Sequence, residues 1–290
     1  MKEVVVLSGK GGTGKTSVVG AFAAMPGAKV LSDCDVDAAD LHLLLAPKVR
    51  EEHEFWSGQV AEIDSALCTR CGLCEEVCRF DAVHDCQVED VSCEGCGLCA
   101  RVCPLDAITM RDCLAGHWYV SDTRFGPLVH ARLGIAQENS GKLVHLVRQK
   151  SKETAEGHGI GLTINDGPPG VGCAVISSLS GADLAFIVTE PSVSGIHDME
   201  RVLSVCQHFS IPTLVCINKF DINEEGTTRI ETYCADHGIE VVARVPFDTR
   251  ITEAQVQGVP LIEYTDDPVL AGPIEAAWRR VCEAVDEDTA

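Results

Sequence analysis

Apolar positions in this chain gather into short runs set between longer amphipathic stretches. Lys2 to Leu7 reads as a buried strand, Gly9 to Gly14 is too glycine-rich for regular structure, and Lys15 to Met25 has helical composition until Pro26-Gly27 stops it. Val30-Leu31 opens a second strand that runs into Asp33-Cys34-Asp35-Val36-Asp37. Farther on, Leu143 to Val147, Ile160 to Asn165, Leu184 to Val188, Thr213 to Asn218 and Val241 to Val245 all read as buried strands. His197 to His208, Glu224 to His237 and Pro268 to Val285 read as helices, the last followed by an acidic tail. Strands alternating with helices at this spacing predict an α/β fold on a mostly parallel sheet covered on both faces.

The rhythm is interrupted once. Between Ala61 and Asp112 there is no extended apolar run, yet the stretch holds nine of the sixteen cysteines. It contains an internal repeat. Cys68-Thr69-Arg70-Cys71-Gly72-Leu73-Cys74-Glu75-Glu76-Val77-Cys78 returns as Cys93-Glu94-Gly95-Cys96-Gly97-Leu98-Cys99-Ala100-Arg101-Val102-Cys103. The tails return too, Phe80-Asp81-Ala82-Val83 as Leu105-Asp106-Ala107-Ile108. Two similar halves predict a small pseudo-twofold module. The expected division is a discontinuous domain of residues 1–60 and 113–290, with residues 61–112 inserted into it.

Composition narrows the function classes. With 290 residues, 46% of them apolar, the chain has room for one core and a small accessory module. Acidic residues outnumber basic ones 44 to 23, a formal charge of −21. That balance argues against general nucleic-acid binding and against docking on an anionic membrane. It suits a partner with a basic patch, although solubility alone accounts for most of it. No apolar stretch approaches the roughly 18 residues of a membrane span, so no membrane insertion is expected. No secretory address is visible, and the cytoplasm is the expected compartment. In such a chain clustered cysteines point to metal binding rather than to disulfides.

Gly9-Lys10-Gly11-Gly12-Thr13-Gly14-Lys15-Thr16 fits GxxxxGK(S/T) and lies between a predicted strand and a predicted helix. Gly9, Gly11, Gly12 and Gly14 let the backbone wrap phosphates with its N–H groups inward, and Thr13 and Ser17 complete the loop and the helix start. Lys15 would neutralise the β and γ phosphates, and the Thr16 hydroxyl would ligate Mg²⁺.

The string KGGTGKT around Lys10 resembles the deviant Walker A motif of the MinD/ParA/Mrp ATPases, a family that includes nitrogenase-type iron proteins. The resemblance implies ATP and Mg²⁺ as ligands. It also implies that ATP binding forms a homodimer, or a heterodimer with a related ATPase, in which Lys10 reaches the partner's nucleotide. Asp33-Cys34-Asp35 resembles switch I, which implies water activation by Asp35 and a place for Asp33 near Mg²⁺, with Asp33 or Asp37 as alternatives to Asp35. Asp166-Gly167-Pro168-Pro169-Gly170 resembles Walker B with switch II. There Asp166 would hold Mg²⁺ through water and Gly170 would let the loop sense the γ-phosphate. Asn218-Lys219-Phe220-Asp221 resembles the base-reading element, with Asn218 on adenine beside Lys219, and Val245-Pro246-Phe247-Asp248 resembles the loop that flanks the base through Pro246 and Asp248. ATP over GTP rests on the resemblance, because NKxD-like strings also occur in GTPases.

The doubled CxxCxxCxxxC spacing suits 4Fe–4S clusters, because one loop wraps three corners of a cube and the fourth cysteine of each run ligates the other cluster. By that rule Cys68, Cys71, Cys74 and Cys103 hold one cluster, and Cys93, Cys96, Cys99 and Cys78 the other. Two zinc sites are the alternative, since thiolates also suit Zn²⁺. Pro104 matches the bacterial ferredoxin pattern, whereas Arg79 stands where that pattern has proline. The whole chain resembles MinD-superfamily ATPases with an inserted, small α+β bacterial-ferredoxin-like domain, and the likeness extends to Asp122–Pro127 and to 138–144. The remaining cysteines, Cys34, Cys86, Cys113, Cys173, Cys206, Cys216, Cys234 and Cys282, read mostly as small buried residues. Cys173 follows switch II, where nitrogenase-type iron proteins carry a ligand to a cluster shared between subunits, but a matching second cysteine is not evident. The C-terminal CxxC of Mrp-type scaffolds is also missing.

Three functions follow. One is an ATPase whose dimer closure is coupled to electron transfer through the clusters to a redox partner. A second is an ATP-dependent accessory or assembly factor for a metal centre in a partner protein. The third is a positioning switch of the MinD/ParA kind with structural clusters.

Overall fold

The computed structural model describes residues 1–134 and 140–287. It comprises two compact units. The first contains Met1–Glu52, Tyr119–Ala131 and Ser140–Ala290, and the second His53–Trp118 and Arg132–Asn139. The strands, in chain order, are β1 (Lys2–Ser8), β2 (Val30–Asp33), β3 (Lys48–Ile63), β4 (Val83–His84), β5 (Gln87–Val88), β6 (Ile108–Thr123), β7 (Gly126–Leu133), β8 (Leu162–Pro169), β9 (Leu184–Thr189), β10 (Thr213–Asn218) and β11 (Glu240–Val245).

The main sheet has the order β11-β10-β9-β1-β8-β2-β7-β6-β3. From β11 to β7 every neighbouring pair is parallel. This is the mostly parallel α/β sheet that the alternation of strands and helices predicts. Because side chains alternate along a strand, β1 sends Val4 and Val6 to one face and Val5 and Leu7 to the other. On the first face Phe22 of helix Lys15–Ala24 packs edge-on against Phe186 at 5.1 Å and against Trp278 of helix Pro268–Glu287 at 5.3 Å. Burying Phe22 completely contributes about 2–3 kcal/mol. On the second face Met199, Val202 and Leu203 of helix Val193–His208 cover Val5, Leu7 and Ile187. That helix starts cleanly because Ser192 Oγ accepts the Gly195 N–H at 3.0 Å.

Two expectations fail. Leu143 to Val147 is not a strand but part of helix Ser140–His158, whose buried positions Leu143, Val144, Val147, Arg148, Ser151 and Ala155 follow a helical period. A short apolar run reads alike as buried strand or helix, and the polar residues flanking this one carry the longer period. Conversely, the sixteen-residue strands β3 and β6 reach into the cysteine-rich stretch, where no apolar run announces them. Most β3 side chains are exposed, so they carry no hydrophobic pattern. The segment Asp122–Pro127 is the β6–β7 turn, closed by Thr123 Oγ1 donating to the Gly126 carbonyl at 2.7 Å. Of the segment 138–144, Glu138 and Asn139 lie outside the described residues, as does the end of the acidic tail.

In the second unit the sequence repeat is also a backbone repeat. The short helices Leu73–Val77 and Leu98–Val102 both follow a left-handed glycine, Gly72 at φ 81° and Gly97 at φ 70°. Arg70 and Gly95 share a positive φ, and so do Asp81 and Asp106. Gly95 admits no side chain, because a Cβ there would run into the Gln59 carbonyl. Strands β4 and β5 form an antiparallel hairpin with Val83 opposite Val88. Among the described residues of this unit, Ala61, Cys74, Val83 and Ile108 form one small buried cluster, with Cys78, Cys93, Cys99 and Cys103 packed against it. A cluster this small gains from a further staple.

Candidate functional site

The carboxyl ends of β1, β8 and β2 define the first site, as expected of ligands bound by parallel sheets. Register places Val6 beside Asp166 and Asp166 beside Asp33, so the phosphate loop, the end of β2 and an acidic position near the end of β8 share one edge. The loop needs glycine at two points. Gly14 has φ 93° and lies against the Asn218 amide, and a Cβ on Gly9 would stand 2.5 Å from the Asp198 backbone. A cavity of about 720 Å³ opens here, lined by Gly11, Gly12, Gly14, Lys15, Thr16 and Asp35, among others. That volume suits a nucleotide. Gly9, Lys10, Thr13, Ser17, Asp33 and Asp166 are not among its lining residues.

At the floor the Lys15 ammonium pairs with Asp166 Oδ1, and Asp35 Oδ2 lies 3.7 Å away. Burial works against the Lys15 charge, but Asp166, Asp35 and Asp33 outweigh it and hold its pKa above the usual value. Burial, then Asp166, pushes Asp33 well above the carboxylate range, while the Leu41 and Asp35 N–H groups hold its oxygens at 3.0 and 3.1 Å. Asp35 is pushed up to about 6, chiefly by burial and against the pull of Lys15. Asp166 is fully buried, and among the described residues its Oδ2 has no hydrogen-bond partner. An unpaired buried carboxylate oxygen of this kind fits a hydrated divalent cation.

The other expected nucleotide residues sit differently. Lys10 Nζ lies 2.7 Å from Glu190 and donates to Ser192 and Ser194 of its own chain at 3.0 and 2.8 Å. Lys219 Nζ bonds the same Glu190 at 2.9 Å and the Gly12 carbonyl at 3.1 Å. The two ammonium groups and Ser192 overcome burial and hold Glu190 down at about 2. Asn218 donates to the Thr13 carbonyl at 2.7 Å and accepts the Lys219 N–H at 3.0 Å, so its amide braces the phosphate loop from beneath. Asp248 caps helix Thr249–Val256 by accepting the Arg250 N–H at 2.8 Å, and Arg250 holds it down at about 2. Pro246 adjoins Phe247, whose N–H reaches Asp221 at 2.7 Å and ties the two loops together. None of Asn218, Lys219, Pro246 and Asp248 lines the cavity. Cys173 does, as the exposed first residue of helix Cys173–Leu179.

Glu190, Ser192 and Ser194 escape the sequence reading, although a signal existed. They follow a buried strand, and in a parallel sheet that places them on the edge of the phosphate loop. Gln255, which lines the cavity and donates to Ser17 Oγ at 2.6 Å, carries no such signal.

In the second unit the cysteines sort into two groups. Cys68, Cys71, Cys74 and Cys103 line one cavity, and Cys78, Cys93, Cys96 and Cys99 line another. Each group takes three cysteines from one repeat and one from the other. Backbone N–H groups point at the sulfurs: Ala82 to Cys78 at 3.4 Å, Ala107 to Cys103 at 3.3 Å and Arg70 to Cys68 at 3.4 Å. Among the described residues, no three His, Cys, Asp or Glu side chains converge as a single metal ion requires. Cys86, expected to be an ordinary buried thiol, is half-exposed and shares the first cavity. No helix among the described residues is long and apolar enough to cross a membrane.

The profile of the CobQ/CobB/MinD/ParA nucleotide binding domain matches residues 4–261. An uncharacterized Methanocaldococcus jannaschii protein is 34% identical over 250 residues, covering 85% of this chain and 84% of its own. An iron-sulfur cluster carrier protein of Pyrococcus horikoshii is 26% identical over 132 residues, covering 41% of this chain and 44% of the carrier. Among solved structures, the septum site-determining protein MinD of Pyrococcus horikoshii, complexed with Mg-ADP, matches with a TM-score of 0.58 at 18% identity, covering 97% of this chain and 95% of that one. At that identity the likeness speaks for the fold alone. The family match spans the phosphate loop, Asp33, Asp35, Asp166 and Asn218, and the chain belongs to the CobQ/CobB/MinD/ParA family of P-loop nucleotide-binding proteins.

Proposed function

We propose that this chain is an iron–sulfur ATPase in which ATP binding and dimer closure are coupled to electron transfer through two 4Fe–4S clusters to a partner protein. The observation that carries the reading is the sorting of eight cysteines, four to a cavity, with Cys103 and Cys78 exchanged between the repeats. Zinc would need its thiolates gathered about 2.3 Å from one point, whereas a cube spreads them over its corners and matches side chains that surround a cavity. Backbone N–H groups aimed at Cys68, Cys78 and Cys103 match the hydrogen bonds that cluster-ligating sulfurs accept. When bound, such clusters supply one-electron transfer.

On the nucleotide side, Lys15 and the loop N–H groups would receive the phosphates, and Thr16, Asp33 and the unpartnered Oδ2 of Asp166 would hold the cation. Asp35, at the cavity wall, orients the attacking water. Lys10 leaves Glu190 to meet the nucleotide of a second copy or of a related ATPase. ATP favours the closed dimer only as far as these contacts differ between the two states. The inserted unit enters the sequence between Asp37 and Asp166, the two segments that ATP would move. The test is composition and coupling together: about eight iron atoms per anaerobically prepared chain, and ATP hydrolysis whose rate responds to cluster reduction.

A second reading, assembly of a metal centre in a partner, draws on the partial likeness to the Pyrococcus cluster carrier. It predicts transfer of intact clusters to an apo-protein, which closed four-cysteine coordination disfavours.

A further inference from the structure

Two helices that pack against each other both begin on the wall of the nucleotide cavity. Ser140 and Cys173, the first residues of helices Ser140–His158 and Cys173–Leu179, line it. The pair is clamped at three points. Gly141 lies against Cys173, and a Cβ there would meet the Cys173 carbonyl oxygen at 3.5 Å, an ordinary contact that admits alanine and crowds a longer side chain. Ser177 Oγ donates to the Gly141 carbonyl at 2.7 Å. Two turns farther along, Arg148 donates through Nη1 to the Ser177 carbonyl and through Nε and Nη2 to Glu3 of β1, each at 2.7 Å. Arg148 and Glu3 are both buried, and a two-pronged ion pair of this kind fixes the geometry of the groups that it joins.

The two helices differ in what precedes them. Helix Cys173–Leu179 follows the Asp166–Gly170 string across Gly170 and Gly172, and nothing stands within 4 Å of where a Cβ on either glycine would be. The Gly170 N–H donates to the Ser8 carbonyl at 3.0 Å, a bond that it must release to meet a γ-phosphate. Helix Ser140–His158 follows directly, in sequence, the stretch Arg132–Asn139 of the second unit. We propose that helix Ser140–His158 is the relay between nucleotide and clusters: when the loop at Gly170 rearranges around a nucleotide, helix Cys173–Leu179 shifts, and the contacts of Gly141 and Ser177 carry the start of helix Ser140–His158 with it. The inference rests on the proposed coupling and names the element that performs it. Such an element transmits only where both sites bias its position.

The test measures the affinity of the full-length, cluster-loaded chain for a fluorescent non-hydrolysable ATP analogue, once oxidised and once reduced, under anaerobic conditions. By linkage the ratio of the two affinities is the coupling factor, and wild type is expected to show at least about fivefold. Ser177→Ala, which removes the hydrogen bond, and Gly141→Leu, which crowds Cys173, should each lower that factor by about threefold or more. Iron content and the affinity of the oxidised chain should stay as in wild type, which a general loss of structure would not allow. Gly141→Ala, whose methyl group fits, should keep the wild-type factor. A factor that Ser177→Ala leaves intact, or one that Gly141→Ala lowers as far as Gly141→Leu does, would overturn the proposal. A wild-type factor of one would instead overturn the coupling beneath it.

Discussion

Lys15 and Asp166 form an ion pair at the floor of the nucleotide cavity, and the second carboxylate oxygen of Asp166 stays free of partners. One ammonium thus faces three buried or half-buried carboxylates, Asp33, Asp35 and Asp166. Lys15→Ala removes both the phosphate contact and the counter-charge. Nucleotide affinity should fall at least about a hundredfold, equivalent to about 3 kcal/mol of charge-assisted contacts. The iron–sulfur absorption that the proposed function predicts should survive, because the eight cysteines of the two cavities belong to the other unit. Titration with a fluorescent nucleotide beside the visible spectrum checks both. Joint loss would contradict two modules.

Asn218 touches the loop rather than the cavity, which separates two roles. Asn218→Ala strips the Thr13 carbonyl of its donor. ATP and GTP should therefore both bind more weakly, by about 1–2 kcal/mol. Isothermal titration with each nucleotide decides the matter: a loss confined to ATP would put Asn218 on the base.

His130 gives the first unit an acid sensitivity. Its Nε2 lies 3.0 Å from Ser121 Oγ, Tyr119 stacks on it at 5.0 Å, and burial together with His42 lowers it to about 4 from 6.5. The folded chain thus binds this proton less readily than the unfolded one. Its contribution to stability is complete above about 6.5 and is lost as pH falls towards 4. His130→Gln should flatten that part of the stability-versus-pH curve, removing a dependence of about 2 kcal/mol, less than the full 1.36 kcal/mol per pKa unit allows. Denaturant midpoints across the window, wild type against variant, provide the check.

Cys103 belongs to the second repeat but to the first cavity. On the proposed reading, Cys103→Ser should disturb a cluster on Cys68, Cys71 and Cys74 and spare one on Cys78, Cys93, Cys96 and Cys99. Iron content should fall by about half, since each cluster carries four irons, and one of two EPR signals should remain. Loss of the signal that Cys93→Ser also removes would mean that each repeat holds its own cluster.

Much of this architecture is legible in the chain because strong local signals coincide with the fold. Val4 to Leu7, Leu184 to Val188 and Thr213 to Asn218 are buried on both faces and read as apolar runs, and the glycines of the phosphate loop interrupt helix and strand alike. The acidic strand ends Asp33 and Asp166 stand out for the same reason. What stays hidden lacks a local signal. Exposed β3 has no hydrophobic period, and Leu143 to Val147 shows its helical register only when the charged positions around it are counted. Glu190 gains its meaning from Lys10 and Lys219, which lie far from it in sequence. The bracing role of Asn218 is of that kind too, since an asparagine at a strand end does not reveal which carbonyl it will meet.

The central claim is that nucleotide state and cluster redox state are linked. The most direct measurement is the midpoint potential of each cluster in the intact chain, with and without a saturating non-hydrolysable ATP analogue, alongside the rate of electron transfer to an added acceptor. Linkage predicts that the analogue shifts at least one midpoint and changes that rate. Unchanged potentials and an unchanged rate, with nucleotide binding confirmed in the same sample, would contradict it.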